Sequence, residues 1–449
     1  MTTATTPDTT PLLLRNAALV GGGDGAAADT SQPLDLLIDG DRLVAVGPAL
    51  DAPESATVVD LGGAYVSAGW LDLYARGGEP GLEHRETTAT LLAAAAAGGF
   101  AGVAIAPETE PPIDTREGVA FAAAQAVRTA SGVAAHVVGA LTKRRAGGEL
   151  AELWDLADAG AVAFSDGVWI ADAGLMRRAL EYAAMLDRPV LLFPHDRALA
   201  GGGLVHEGTA GTRAGAMGIP EVAETAALAR DLLLAADTGA RVHVLHATTR
   251  RSLDLIRDAR ARGTRVTASV SAAHLALTDE AVEASGFDAA TKLLPPLRSA
   301  ADRAALLAAL ADGTLDAVFS DHAPHALHET EVEFAAAPFG VSALETTWAV
   351  LSTHAVAEGR LSVEQAAALL TSGPRRCLGL PPLAVETGAR AALTVFDAST
   401  PWTFDARRMR SLGRQTPFDG AAMTGRVRGI VAGGRFVDAL PRAVEPARR

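Results

Sequence analysis

Short apolar runs alternate with segments of helical periodicity through the middle of the chain. Between the runs, apolar positions recur three or four residues apart in stretches rich in alanine, leucine, arginine and glutamate, which indicates amphipathic helices. Strands that are apolar on both faces and alternate with helices are typical of a parallel sheet. Eight such runs occur, at residues 69–75, 102–107, 135–140, 161–166, 189–195, 241–247, 265–271 and 316–321. Eight strand–helix units within about 250 residues predict an α/β fold, a (β/α)8 barrel of the TIM type.

Both ends of the chain show a different pattern, of short strands and turns. The N-terminal end contains a hairpin signal at Asp39-Gly40, and strand-like runs return near the C-terminus. Each end is too small to bury a core by itself, so we expect the two ends to pair. The predicted parts are a disordered, threonine-rich segment at residues 1–10, a barrel at 67–380 and a small β-sandwich made of 11–66 and 381–440.

The composition fits a large globular core and excludes several classes of partner. The chain has 449 residues, of which 49% are hydrophobic, and a net charge of −14. Nucleic acids and anionic membranes select basic surfaces, so neither is expected as a partner. The one cysteine, Cys377, excludes a disulfide framework and any cysteine-based metal site. Because no signal peptide is visible and no apolar run reaches the roughly 18 residues of a membrane span, we expect a cytoplasmic protein.

Polar side chains gather at the ends of the predicted strands. In (β/α)8 barrels the reactive groups sit at the carboxyl ends of the strands. After the eighth strand, the segment Asp321–His325 places one carboxylate and two imidazoles in five residues. The other polar residues at strand ends are Asp72, Tyr74, Arg76, Ser165, Asp166, His195, Asp196, His246 and His274. This set predicts a site of titratable groups at the mouth of the barrel.

Several segments, in the same order along the chain, resemble the dihydroorotases of the amidohydrolase superfamily, in the branch related to hydantoinases and allantoinases. The matching segments are residues 79–114, 139–150, 205–224, 246–279, 294–325, 337–346 and 416–437. The resemblance extends over about residues 11–440. It implies a barrel of the metal-dependent hydrolase type and a place in pyrimidine biosynthesis.

The resemblance also implies a zinc site, which this sequence keeps only in part. The family holds one or two zinc ions, and its first ligands are a His-x-His pair on the first strand, whose members face the same way. Tyr74 and Arg76 stand at those two positions, and Phe193 stands at the position of the strand-5 histidine. A neutral phenol is a poor zinc ligand, and a guanidinium cannot be deprotonated at pH 7. The ligand positions that are kept are Asp166, His246 and Asp321.

Substrate recognition shows a parallel loss. The family binds the substrate carboxylate through an arginine, two asparagines and a histidine. Gly78, Glu108 and Leu294 replace the first three, and only His325 is kept. Because a cation is removed and an anion is added, we expect an anionic substrate such as carbamoyl aspartate to be repelled.

We therefore predict a non-catalytic homologue with no metal cofactor. Asp321, which serves the family as metal ligand and general base, is interpreted as a relict of the catalytic site. Without a metal, Asp166 and Asp321 would repel each other, and a guanidinium between them would supply the missing charge. We expect Arg76 to take this place, within hydrogen-bond reach of Asp166, Asp321 or Glu108.

The resemblance implies one partner. The family includes chains without the metal histidines that are needed for the assembly of aspartate carbamoyltransferase, so this transferase is the expected partner, and a homodimer or higher oligomer is expected for the chain itself. Two alternatives stay open. One is an active zinc-dependent cyclic-amide hydrolase of the dihydroorotase, hydantoinase or allantoinase type, whose degenerate site uses His246, Asp321 and Asp166, with His195 as a shifted ligand. The other is a barrel that binds a small molecule.

Overall fold

The N-terminal end forms the first strands of a β domain. The structure, a computed structural model, describes residues 10–21 and 33–439, so the predicted disordered segment lies outside the described residues except for Thr10. The strands are β1 (Leu12–Leu19), β2 (Leu34–Asp39), β3 (Arg42–Gly47), β4 (Thr57–Asp60) and β5 (Tyr65–Ala68). β2 and β3 pair antiparallel across the predicted Asp39-Gly40 turn, where Gly40 adopts a φ of +56°. A glycine suits this position because it has no Cβ to clash in the left-handed region.

All eight predicted barrel strands are present, in chain order around the barrel. They are β6 (Trp70–Ala75), β7 (Phe100–Ile105), β8 (Ala134–Gly139), β9 (Ala163–Phe164), β10 (Val190–Leu192), β13 (Val242–Val244), β14 (Val266–Ser271) and β15 (Ala317–Phe319). Neighbouring strands are parallel. The first and last strands meet through polar contacts, in which Ser320 N donates to Asp72 Oδ1 over 2.6 Å and Arg76 N donates to His322 O over 2.9 Å. A two-stranded ribbon, β11 (Val205–His206) and β12 (Gly218–Ile219), extends from the loop after β10.

Helices follow the strands, and the longer ones cover the outside of the barrel. They are α1 (Thr88–Ala97), α2 (Arg116–Arg128), α3 (Leu153–Asp158), α4 (Ala173–Met185), α5 (Arg197–Ala200), α6 (Thr209–Ala214), α7 (Val222–Thr238), α8 (Arg250–Ala261), α9 (Ala272–Ala276), α10 (Glu280–Ala284), α11 (Ala300–Ala311), α12 (Leu327–Thr330), α13 (Thr347–Leu351), α14 (Val363–Ala368) and α15 (Ser372–Leu378). Side-chain caps fix several of their starts: Thr249 accepts from Ser252 N at α8, and Ser299 accepts from Asp302 N at α11. Within the described ranges, none of these helices has both the length and the apolar character needed to cross a bilayer.

The C-terminal end completes the β domain. Its strands are β16 (Leu393–Thr403), β17 (Ala422–Ala432) and β18 (Arg435–Asp438). The strands of both chain ends join in the order β18-β17-β16-β5-β1-β2-β3, with β4 paired to β1. The pairing of β16 with β5 brings residues more than 300 positions apart in sequence into one ladder, as Leu393 lies opposite Ala68. The predicted composite domain is thus confirmed as a β unit separate from the barrel.

Aromatic rings join the β domain to the barrel. Trp70 on β6 lies with its ring centroid 5.0 Å from Phe396 on β16 and 5.1 Å from Trp348 on α13, and all three side chains are buried. Such aromatic clusters bury a large apolar area and prefer tilted or edge-to-face rings. A separate cluster fills the barrel interior, with Leu71, Leu245 and Phe319 among its members. This packed floor leaves the mouth, at the carboxyl ends of the strands, as the place for a site.

Candidate functional site

Tyr74 and Arg76, at the end of β6, both approach the side chain of Glu108. The Tyr74 hydroxyl donates to Glu108 Oε2 over 2.7 Å. Arg76 Nε lies 3.4 Å from Glu108 Oε1, so the expected contact with one of the three acids is present as an ion pair, without an aligned hydrogen bond among the described residues. Burial and the nearby Glu108 carboxylate raise the pKa of the Tyr74 phenol well above its usual value, so the hydroxyl stays a donor. The two residues at the expected imidazole positions therefore bind a carboxylate instead of presenting lone pairs to a cation.

Glu108 holds this cluster together on the loop after β7. Its side chain is 10% exposed, and Nη2 of Arg145 lies 3.7 Å from the same Oε1 that faces Arg76. Within the described part of the chain Oε1 receives no aligned N–H, so both guanidiniums act on it by charge and not by a directed hydrogen bond. The loop after β9 approaches so closely that Gly167, at φ +62°, has no room for a Cβ beside Glu108 and Tyr74. Arg145 was not predicted as a site residue.

Asp321 and His246 remain together, as the sequence predicted. His246 Nε2 lies 3.5 Å from Asp321 Oδ1. Burial lowers the pKa of His246 well below its usual value, and His274 and Arg76 lower it further. Burial raises the pKa of Asp321 to about 7, although Arg76 opposes this shift. A neutral imidazole therefore faces a carboxyl group that is easily protonated.

Aromatic rings enclose the imidazole of His246. Phe193 stands edge-on to it at a centroid distance of 5.1 Å, and Phe319 at 4.9 Å. The Nδ1 atom of His246 has no hydrogen-bond partner among the described residues. Phe193 therefore supplies packing at the position where the resemblance implies a histidine ligand.

Asp166 faces away from this group. Its Oδ1 accepts from Leu141 N over 2.8 Å and from Thr142 N over 3.0 Å, and its Oδ2 accepts from the Thr142 hydroxyl. Arg145 Nε donates over 2.7 Å to the Asp166 backbone carbonyl. The expectation that Arg76 balances Asp166 is therefore wrong, because the loop after β8 already satisfies both oxygens of this carboxylate.

The residues of the implied substrate site line one cavity at the barrel mouth. The cavity has a volume of about 370 Å³, and its wall includes Arg76, Gly78, Glu108, Phe193, His195, Leu294, Asp321 and His325. His325 Nε2 donates over 3.0 Å to the Phe339 carbonyl, and burial lowers the pKa of His325 to about 4. The Nδ1 atoms of His195 and His325 lack hydrogen-bond partners within the described part of the chain. The predicted substrate-site positions thus come together, although most have lost the implied chemistry.

Some polar residues of the predicted strand ends are structural. His322 is fully buried, accepts from Ala343 N through Nδ1 over 3.2 Å, and lies with Nε2 3.3 Å from Glu86 Oε2. His274 is held by Ser271 and the Pro295 carbonyl. Apart from the Ser271–His274 contact, these bonds join segments at least 21 residues apart, which is why spacing alone did not reveal them.

Comparison with known proteins identifies the family. Residues 63–252 match a family model described as dihydro-orotase-like. A dihydroorotase of Pelotomaculum thermopropionicum is 43% identical over 95% of this chain and 98% of its own length, and a dihydroorotase of Anaeromyxobacter dehalogenans is 42% identical over 93% and 94%. The chain belongs to the dihydroorotase family. The family assignment predicted from the sequence is thus confirmed, whereas the comparisons do not indicate the non-catalytic branch.

Solved structures agree with the barrel of the dihydroorotase family. An L-hydantoinase of Arthrobacter aurescens superposes with a TM-score of 0.82 at 25% identity, over 95% of this chain and 96% of its own. A D-hydantoinase of a Thermus species gives a TM-score of 0.80 at 23% identity, which supports the fold alone. The amidohydrolase-type barrel with a β domain from the chain ends is therefore shared.

The donor set of this dihydroorotase-family chain does not fit the zinc ion that the family implies. Arg76 carries a fixed positive charge into the position of a ligand, and both oxygens of Asp166 are already bonded to the neighbouring loop. Among the described residues, no three histidine, cysteine, aspartate or glutamate side chains are arranged to hold a metal ion. His195 consequently does not join His246 and Asp321 as a shifted ligand in this arrangement.

Proposed function

We propose that this chain is a non-catalytic member of the dihydroorotase family. The observation that carries the proposal is the Tyr74–Glu108–Arg76 cluster, which fills the position of the first two zinc ligands with a phenol, a carboxylate and a guanidinium. Metal-dependent amide hydrolysis needs the ion to generate hydroxide near neutral pH and to polarise the carbonyl. A permanent cation 3.4 Å from Glu108 opposes the binding of a second cation there.

We further propose that the chain acts as an assembly subunit for aspartate carbamoyltransferase and forms a homodimer or higher oligomer itself. The support is the resemblance to family members that lack the same histidines, since Tyr74 and Arg76 occupy those positions here. The whole barrel is kept although its site is altered. This combination suits a protein that functions through its shape and not through catalysis.

Zinc content and turnover test the loss of catalysis. The chain is purified with zinc in excess, dialysed, and measured for bound zinc and for ring opening of dihydroorotate. We expect far less than one zinc per chain and no turnover above background. Stoichiometric zinc together with ring opening would refute the proposal.

Co-expression tests the partner. The transferase of the same organism is expressed with and without this chain, and its assembly is followed by light scattering and carbamoyl transfer. We expect a stable complex and an active transferase only when both chains are present. A transferase that assembles and works normally alone would rule out the assembly role.

A second candidate is an active zinc-dependent cyclic-amide hydrolase with a degenerate site. In its favour, relatives named dihydroorotase are 43% and 42% identical over nearly the full length, and His246 and Asp321 remain within 3.5 Å of each other. The zinc and turnover measurements above separate this candidate from the non-catalytic one.

A further inference from the structure

In the cavity at the barrel mouth, two guanidinium groups face the same carboxylate. Arg76 Nε and Arg145 Nη2 lie 3.4 Å and 3.7 Å from the same oxygen of Glu108. The other oxygen of Glu108 is taken by the Tyr74 hydroxyl. Glu108 carries one negative charge and the two arginines carry two positive charges, so one positive charge is not balanced by Glu108. Asp321 is the next acid, and burial raises its pKa to about 7.

The hydrogen-bond donors of these guanidiniums are largely unused. Arg145 donates through Nε to the Asp166 carbonyl, and the hydrogen bonds of the described residues involve neither the terminal nitrogens of Arg145 nor any guanidinium nitrogen of Arg76. The side chains of Arg76 and Arg145 are 34% and 20% exposed, toward the cavity that both line. A guanidinium presents its donors in a fork that matches a carboxylate, so the pair of arginines is preorganised for a second carboxylate.

The cavity wall also includes apolar side chains beside its charged ones. Phe193, Leu294, Val168 and Phe339 line it, together with His195 and His325, which are 7% and 6% exposed. The Nδ1 atoms of these two histidines are buried without a partner in the described structure. The cavity volume of about 370 Å³ lies within the range of small-molecule sites.

We propose that this cavity binds a small organic monocarboxylate, with its carboxylate on Arg76 and Arg145 and its body against Phe193 and Leu294. The inference rests on the proposed absence of a metal, because the ligand carboxylate takes the place next to Arg76 that an ion would need. The carboxylate lies on Arg76 and Arg145, which are not among the implied substrate-binding positions Gly78, Glu108, Leu294 and His325, although both arginines face Glu108 and the body of the ligand contacts Leu294. A monoanion fits better than a phosphate dianion, because Glu108 and Asp321 lie next to the arginines and repel a second negative charge.

Benzoate is a suitable probe, with benzamide as its neutral isostere and inorganic phosphate as a dianion. Binding to the full-length chain is measured by calorimetry at pH 7.5, with and without EDTA. We expect saturable binding of benzoate that EDTA does not change, and at least about tenfold weaker binding of benzamide and phosphate, because an ionic hydrogen bond is lost or a charge is repelled. No binding of benzoate, equal binding of benzamide, or tighter binding of phosphate would overturn the proposal.

Single substitutions test whether the arginines bind the carboxylate of the ligand or only stabilise the fold. Arg145→Gln and Arg76→Gln are expected to weaken benzoate binding by about tenfold or more. Glu108→Gln is expected to tighten it, because both guanidiniums lose their competing carboxylate. Arg177→Gln, which alters an exposed ion pair with Asp237, is the control and should leave binding unchanged. If Arg76→Gln does not fold, the affinities of Arg145→Gln and Glu108→Gln for benzoate still test the inference. An affinity that is unchanged, or that changes in the opposite direction, in these two variants would overturn it.

The EDTA arm distinguishes this inference from the proposed function. Zinc and dihydroorotate turnover in the wild-type chain would refute the non-catalytic assignment while EDTA-resistant benzoate binding still supports the arginine subsite. Benzoate binding that EDTA abolishes would place the carboxylate on a metal, and would overturn the arginine subsite.

Discussion

Arg76 Nε lies 3.4 Å from Oε1 of Glu108, at the place where the family resemblance implies an imidazole and a metal. The two residues come from the ends of adjacent strands, β6 and β7, whose carboxyl ends meet at the barrel mouth. In the implied substrate site, Glu108 would be an unfavourable replacement for asparagine, because it adds a buried negative charge. Arg76 offsets that charge, so the two substitutions compensate each other electrostatically.

The hydroxyl of Tyr74 contributes to this arrangement through its hydrogen bond with Glu108, which measures 2.7 Å. Tyr74→Phe removes a buried donor to a charged group and should lower the free energy of unfolding by about 1–3 kcal/mol. The measurement is urea denaturation at pH 7. Tyr65→Phe is the matched control, because the Tyr65 hydroxyl forms no hydrogen bond with the residues that the structure describes, and its ring stacks on Phe396. Equal stability changes in both variants would contradict the assigned role of Tyr74.

A fully buried ion pair holds the first turn of α7, which follows the β11–β12 ribbon. Glu224 and Arg298 are 0% and 2% exposed, and Arg298 Nη2 donates to Glu224 Oε2 over 3.0 Å. Glu224 also accepts from Thr248 N and the Ser252 hydroxyl. Glu224→Gln leaves Arg298 buried without a full counter-charge and should lower the free energy of unfolding by about 3–5 kcal/mol.

The control for this prediction is Glu181→Gln, which alters an exposed pair with Arg177 on the surface of α4. Denaturation with urea, followed by circular dichroism, should show a much lower midpoint for Glu224→Gln and an unchanged midpoint for Glu181→Gln. Comparable midpoints for the two variants would show that the buried pair contributes little to stability.

The barrel was predictable from the sequence because its strands are continuous apolar runs. Each predicted run contains a strand, although β9 is only Ala163–Phe164 within the predicted 161–166. The runs extend past the strands because loop residues at the mouth, such as Ser165 and Asp166, are buried as well. Burial therefore extends further along the chain than strand pairing does. The apolar pattern of the sequence indicates which residues are buried, and not which residues pair.

The chemistry of the site could be predicted from the sequence only where it depends on a single residue type. The fixed charge of Arg76 excludes it as a metal ligand in any structure, and its reach to Glu108 follows from the geometry of adjacent strand ends. Arg145 was missed because it lies in the polar Lys-Arg-Arg stretch of a loop, which has the pattern of a solvated surface. The bonding of Asp166 to Thr142 was also missed, because it depends on the path of a neighbouring loop 24 residues away in sequence.

Glu345 provides a prediction for the pH dependence of stability. Burial raises the pKa of Glu345 from 4.5 to about 7, even though the carboxylate accepts hydrogen bonds from Arg410 N and Ser411 N. Between these pH values the folded chain keeps a proton that the unfolded chain has lost. The contribution of Glu345 to stability is therefore complete below about pH 4.5 and is lost as the pH rises toward 7.

The test compares the wild-type chain with Glu345→Gln, which has no carboxyl group to titrate. The difference in the free energy of unfolding, wild type minus variant, should fall by about 2–3 kcal/mol between pH 4.5 and pH 7.5. All other titrating groups are common to both chains and cancel in this difference. Urea denaturation at five pH values supplies the data, and a difference that is constant with pH would show that Glu345 titrates normally.

Restoring the imidazoles should restore a metal site. The triple variant Tyr74→His, Arg76→His, Phe193→His removes the fixed charge and places three imidazoles near His246 and Asp321, which already lie within 3.5 Å of each other. Zinc prefers four ligands of this kind, so we expect the variant to bind about one zinc per chain. A second zinc is not expected, because the Asp166 oxygens remain bonded to Leu141 and Thr142. The control, Tyr182→His, Arg177→His, Phe121→His, adds the same residue types away from the barrel mouth. Mass spectrometry of metal content after dialysis should find zinc in the first variant and far less in the control and the wild type, and equal zinc in all three would show that Tyr74, Arg76 and Phe193 are not what excludes the ion.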